Sequence, residues 1–128
     1  MESTADLPFS PAAQRNQVPI LNVLKELLAS DARVLEIGSG TGQHAVAFAA
    51  ALPHVHWQTS EQPEVLPTLA RRIEQEAARL PSPLSLDVQT GPWPEEQYDV
   101  VFTAHTAHIH GNCRRWHAQH MAHHVLHF

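Results

Sequence analysis

A chain of 128 residues with 43% hydrophobic content is one domain's worth of globular sequence, and a formal net charge of -5 leaves no basic stripe for gripping phosphate backbones. No apolar run approaches the ~20 residues that span a bilayer, the opening "MESTADLPFS" has neither the basic start nor the apolar core of a signal peptide, and the single cysteine, Cys113, has no internal disulfide partner. The expectation is a cytoplasmic protein with no nucleic-acid or membrane partner.

In "VPILNVLKELLAS", Ile20, Leu21, Val23, Leu24, Leu27 and Leu28 recur at helical spacing and predict an amphipathic helix that packs against a sheet. "RVLEI" is a short β-rich run that stops at glycine, and "QHAVAFAAAL" is a small-residue helix that stops before Pro53. "HVHWQTSE" alternates as a second strand. "VLPTLARRIEQEAARL" is a helix with Leu66, Leu69, Ile73, Ala77 and Leu80 on one face, and "LSLDV" is a third strand. After the turn-rich "QTGPWPEEQ", "YDVVFTA" is a fourth strand rich in β-branched and aromatic residues. Strands alternating with helices predict an α/β fold: a parallel sheet of about four strands, covered on both faces and joined by right-handed crossovers.

Chemistry first shows in "RVLEIGSGTG", where Gly38, Gly40 and Gly42 follow a strand that carries Glu36. In parallel sheets ligands bind beyond the carboxyl ends of the strands, and bare glycines there permit positive φ and close approach of backbone to ligand. The helix starting near Gln43 aims its N-terminal N–H groups at the same place. Two registers fit. From Gly40, "GTGQHA" satisfies the G-x-G-x-x-A dinucleotide fingerprint, with Glu61 about 20 residues on where a ribose-binding acid is expected. From Gly38, "LEIGSGTG" is similar to motif I of class I methyltransferases that use S-adenosylmethionine, in which an acid lies two positions before the first glycine. Glu36 favours the second: a carboxylate meets a cationic ligand end, directly or through water, and repels a pyrophosphate. An NAD-binding oxidoreductase fragment is the more distant alternative, and a salt-bridged strand end is the plain structural account of Glu36.

"FSPAAQRN" with "PIL", "VLEIGSGTGQHAVAFAAALP", "VHWQTSE", "LDV", "PWP" and "YDVVFTAHTAHI" together resemble the methyltransferase-like 26 family, known in bacteria as a methyltransferase-fold domain of unknown function, over roughly residues 8–109. The resemblance implies a three-layer Rossmann-like fold and an S-adenosylmethionine-dependent methyl transfer, and it assigns no acceptor. It places Glu36, Gly38, Ser39, Gly40 and Gly42 in the cofactor loop, Glu61 on the ribose hydroxyls, Asp87 on the adenine amino group, and Thr103 and Ala104 beside the transferred methyl. The family pattern leads one to expect asparagine at position 105; His105 departs from it and is the one titratable group there able to act as a general base. Arg15 and Asn16 belong to the amino-terminal signature and are assigned a closing role over cofactor or substrate. His44 reads as packing or as a neighbour of the loop.

After Asp99 there is no acidic residue, and the stretch from Ala104 onward holds 8 of the 11 histidines. Class I methyltransferases have seven strands in the order 3-2-1-4-5-7-6, of which only four are read here. Residues 1–109 are therefore expected to form the cofactor-binding part, and residues 110–128 an irregular tail, out of frame or non-native, on an enzyme crippled by truncation. The alternative is a non-catalytic remnant that binds cofactor or self-associates through the exposed edge of the fourth strand. If the tail is helical, His117, His120, His124 and His127 share a face of a kind that holds Zn, Ni or Cu. With no carboxylate nearby to orient them, no built metal site is expected.

Overall fold

Ser10 and Pro11 start the first helix well before its apolar stripe. In the computed structural model, which describes residues 10–87, 90–92, 94, 95, 97–104 and 124–128, α1 runs Pro11–Leu27. Ser10 Oγ accepts from Ala13 N at 3.2 Å, and proline occupies the first turn, where its missing N–H costs nothing. The expected stripe is narrower than its sequence spacing suggests: Ile20 and Leu24 are buried and Leu21 and Leu28 partly so, whereas Val23 and Leu27 are exposed. The reason is that the main neighbour of α1 is a helix, α2 (Gln43–Ala51), and a helix–helix seam covers a thinner line than a sheet face does.

The parallel sheet forms as expected. β1 (Arg33–Ile37) lies between β2 (His56–Gln58) and β5 (Val100–Thr103), with Val34 opposite both Trp57 and Val100 and Ile37 opposite Thr103. The second strand expected over 54–61 divides at Thr59. Its first half stays with β1; its second half, β3 (Ser60–Glu61), pairs in parallel with β4 (Leu84–Ser85). Between them α3 covers Leu66–Glu76, burying Leu69 and Ile73. Leu80 reaches the same core from beyond the helix end, and Leu66 and Ala77 pack at its margin.

The tail overturns an expectation. Its last residues form β6 (His124–His127), parallel to β5 with Val100 opposite His124, and Phe128 N donates to Thr103 O at 2.9 Å. The edge of β5 is thus covered, because the backbone groups of a strand edge accept any chain that runs alongside, whatever its side chains. Self-association through that edge loses its structural basis. His124 and His127 sit on a strand, so the helical face proposed for them with His117 and His120 does not form; the latter two lie outside the described residues.

Alternate residues of β1 and β5 are buried on both faces of the sheet, which is why both strands read as nearly unbroken apolar runs. On the helix-covered face, Phe48, Trp57 and Phe102 meet with ring centroids 5.3 to 6.0 Å apart, at tilted or edge-to-face angles. Phe48 is fully buried and touches both other rings. Phe48→Ala is expected to lower unfolding free energy by ~3–5 kcal/mol, measured by urea denaturation at constant m-value.

Candidate functional site

Where β1 ends, the chain turns through Gly38, Gly40 and Gly42, all at positive φ (69°, 60° and 84°), before α2 begins. Two of them carry different constraints. A Cβ at Gly42 would stand 3.0 Å from Leu69 Cδ1 and from Arg72 Cγ, so this glycine lets α3 press against the turn. A Cβ at Gly40 would meet nothing within 4 Å. Only backbone conformation demands glycine there, and a side chain would project into open space. Arg72 fastens the turn from α3: its Nε donates to Thr41 O at 3.0 Å while Nη1 pairs with Glu76 at 2.8 Å.

Glu36, one residue before the end of β1, is 2% exposed. One oxygen, Oε1, accepts from both Ser39 Oγ at 2.9 Å and Trp57 Nε1 at 3.0 Å. Ser39 and Ser60 bind each other: Ser39 N donates to Ser60 O at 2.9 Å and Ser60 N to Ser39 Oγ at 3.1 Å. Ser60 Oγ also donates to Glu36 O at 2.6 Å. These bonds draw the second strand away from β1 at Thr59 and toward the glycine turn. The Glu36 carboxyl is raised to about 7 on balance: burial pushes it up most, the bonds from Trp57 and Ser39 hold it back, and the charge of Glu61 adds to the rise. Among the described residues no cation pairs with it, and its partners are the neutral donors Trp57 and Ser39.

A cleft of about 310 Å³ opens here at the carboxyl ends of the strands, lined by Glu36, the turn residues 38–41, Gln43, His44, Glu61 and Ala104, with the cap Ser10 and Ala13 at the start of α1. Its size is at the lower end of the ~300–1,000 Å³ usual for ligand sites. At its rim Glu61 accepts from Gly40 N at 2.9 Å through Oε2 and from Gln62 N at 2.8 Å through Oε1, so it braces the turn as well as facing the cleft. His44 stacks on Phe48 at 5.3 Å. A larger hollow of about 750 Å³ lies at the opposite ends of the strands, around Arg33, His54, His56 and Arg79. It has no glycine turn and no buried carboxylate, and parallel sheets use the other end.

The remaining expected site residues scatter. Thr103 is buried at the end of β5, beside Ala104 but not on the cleft wall, and Asp87 is half-buried beyond β4, its carbonyl accepting from Gly91 N at 2.7 Å. Arg15 is exposed on α1 and Asn16 half-buried; neither lines the cleft. His105 lies outside the described residues. Sequence reasoning missed Gln43, whose Oε1 accepts from Ser10 N at 2.5 Å and from Thr41 Oγ1 at 3.2 Å while Nε2 donates to Ser10 O at 3.3 Å. This clasp brings the amino-terminal "SPAAQRN" signature over the glycine turn. The available signal was the Ser-Pro helix start, which places Ser10 at a cap.

A family profile described as "Protein of unknown function (DUF938)" matches residues 7–125. The chain belongs to this family. The DUF938 match runs on into the histidine-rich tail, past the point near Ile109 where the sequence resemblance ends. Among solved structures, the chain is similar to the apo form of the S-adenosylmethionine-dependent methyltransferase SibL (TM-score 0.63, 24% identity, 73% of this chain and 27% of that one). It is similar also to a SAM-dependent methyltransferase from Aquifex aeolicus (0.63, 22%, 77% and 54%) and to YjhP from E. coli (0.63, 18%, 93% and 48%). The shared feature is the Rossmann-like methyltransferase fold. This DUF938 chain spans between about a quarter and about half the length of those structures. Among the described residues, no helix is long and apolar enough to cross a membrane.

The Glu36 environment makes stability pH-dependent. With its carboxyl raised from 4.5 to about 7, the folded chain holds a proton that the unfolded chain releases between those values. Stability is therefore greatest below the lower value and falls as pH rises through the upper one, by an amount on the order of 3 kcal/mol. Glu36→Gln, which keeps an acceptor for Trp57 and Ser39, is expected to flatten this slope in urea unfolding compared between about pH 5 and about pH 8.

Proposed function

We propose that this DUF938 chain is the S-adenosylmethionine-binding part of a methyltransferase, of the kind the methyltransferase-like 26 resemblance implies. The observation that carries the reading is a buried carboxylate, Glu36, at the wall of a cleft whose floor is the open glycine turn. A cation suits that wall, and a pyrophosphate is repelled by it, which disfavours a dinucleotide. The neighbours of like fold that act on S-adenosylmethionine support the same ligand.

The residues fit such a cofactor. Gly40 leaves open space where its backbone faces the cleft, Glu36 supplies negative charge deep in it once its proton has left, and Glu61 supplies carboxylate oxygens at its rim that would accept from ribose hydroxyls. Gly38 and Ser39 complete the cradle. Asp87 would contribute from beyond β4, and Thr103, buried at the end of β5, would act only by holding Ala104 in place, which would leave room beside the reacting carbon. S-adenosylmethionine supplies an electrophilic methyl on sulfur and a neutral thioether as leaving group. The protein's part is alignment: rigid placement of the donor beside an acceptor supplies most of the rate. A general base is required only for an acceptor that must first lose a proton, and His105 is the residue proposed for it. Arg15 and Asn16, on the helix that Gln43 clasps to the turn, are proposed to meet the acceptor side.

Thermal unfolding tests the reading. S-adenosylmethionine at about 100 times its dissociation constant is expected to stabilise the chain by ~2.7 kcal/mol, and NAD at the same concentration to leave it unchanged. Gly40→Ala is expected to remove most of that gain, at a cost of only ~1 kcal/mol to the protein alone. Stabilisation by NAD and not by S-adenosylmethionine would overturn the proposal.

A further inference from the structure

Trp57 has no part in the cofactor cradle described above, yet its indole does more than fill the core. Nε1–H reaches from β2 to Oε1 of Glu36 at 3.0 Å, and Ser39 Oγ takes the same oxygen at 2.9 Å. Both donors fall on one oxygen of the carboxyl group. Among the described residues nothing donates to Oε2, and Glu36 is on the cleft wall. We propose that Trp57 is a positioning residue for ligand binding: it pins Glu36 by one oxygen so that the other is presented to a cationic group in the cleft, and it eases loss of the proton that this group must displace.

The argument is one of geometry and proton balance. A hydrogen-bond donor aimed at a carboxyl oxygen stabilises the ionised form more than the neutral one. Because Oε1 faces two donors, a protonated Glu36 carries its hydrogen on Oε2, toward the cleft. A bound cation takes the place of that hydrogen, and one proton leaves to solvent. Without the indole N–H, the carboxyl group is both freer to rotate and harder to ionise. The other groups facing Glu36 are Glu61 from β3, whose charge favours retaining the proton, and His44 from α2, which shares the cleft. Among the described residues, the cap and first turn of α1 bring Ser10 and Ala13 to the wall, and the end of β5 brings Ala104, none of them titratable. The proposal rests on the cofactor reading above.

Calorimetric titration of S-adenosylmethionine into the whole chain, between about pH 5.5 and about pH 9, separates the two ideas. Wild-type affinity is expected to rise with pH and to level off near the Glu36 midpoint. In Trp57→Phe, which keeps an aromatic ring against Phe48 and Phe102, the midpoint is expected to move up by about one pH unit, so that binding is about tenfold weaker on the acid side and converges on wild type at the alkaline end. Ser39→Ala, which leaves the aromatic core intact, is expected to shift the midpoint in the same direction. Introduced into Glu36→Gln, Trp57→Phe is expected to leave the pH profile unchanged, which separates the Glu36 effect from any titration of His44. Uniform weakening across all pH values, in both Trp57→Phe and Ser39→Ala, would reduce Trp57 to packing and overturn the inference while leaving the cofactor reading intact. Failure of the wild-type chain to bind S-adenosylmethionine at any pH would overturn both.

Discussion

A carboxyl group withdrawn from water must be given hydrogen bonds, and the carboxyl ends of the strands are organised around that need at Glu36. Its side chain lies on the helix-covered face of the central strand, where the neighbouring positions are apolar, so donors must come from other segments. Trp57 comes from the adjacent strand and Ser39 from the turn, while Ser60 secures the carbonyl of the same residue. The stretch from Trp57 to Ser60, more than 20 residues on, and the turn just after β1 are thereby tied to one residue. The division of the second strand at Thr59 follows from this, since Ser60 cannot serve the turn and also stay in register with β1.

The glycine turn is then held from every side. Glu61 braces it at Gly40, Arg72 at Thr41, and Gln43 joins it to the cap of α1. A turn with no side chains of its own has a large conformational entropy to lose, and these contacts fix it before any ligand arrives. Preorganisation of this kind is what a site that works by alignment requires. The same contacts explain why Gly40 and Gly42 differ: one opens to the cleft and the other admits α3.

Much of this was legible in the sequence, for identifiable reasons. "RVLEI" and "YDVVFTA" are apolar on both faces and could only be central strands, and glycines spaced by two after a strand mark a ligand turn whatever the ligand. Glu36 stood out because a carboxylate in such a run has to be used. Less legible were features that depend on tertiary partners. Ser60 and Ser39 carry no sequence signal for their mutual bonds, Gln43 reads as an ordinary first-turn residue, and the edge pairing of β6 depends on backbone alone, which composition does not report. The start of α1 was available in Ser10 and Pro11 but was outweighed by apolar periodicity that begins later.

The central claim, that a one-sided buried carboxyl beside an open turn forms a seat for a sulfonium nucleoside, is tested most directly by a crystal structure of the chain grown with S-adenosylmethionine. The expected result is the ligand lying along residues 38–42, between Glu61 and Ala104, with a cationic group in contact with Oε2 of Glu36 and with Trp57 still donating to Oε1. A ligand lodged instead among Arg33, His54 and Arg79 at the opposite ends of the strands, with Glu36 untouched, would contradict it.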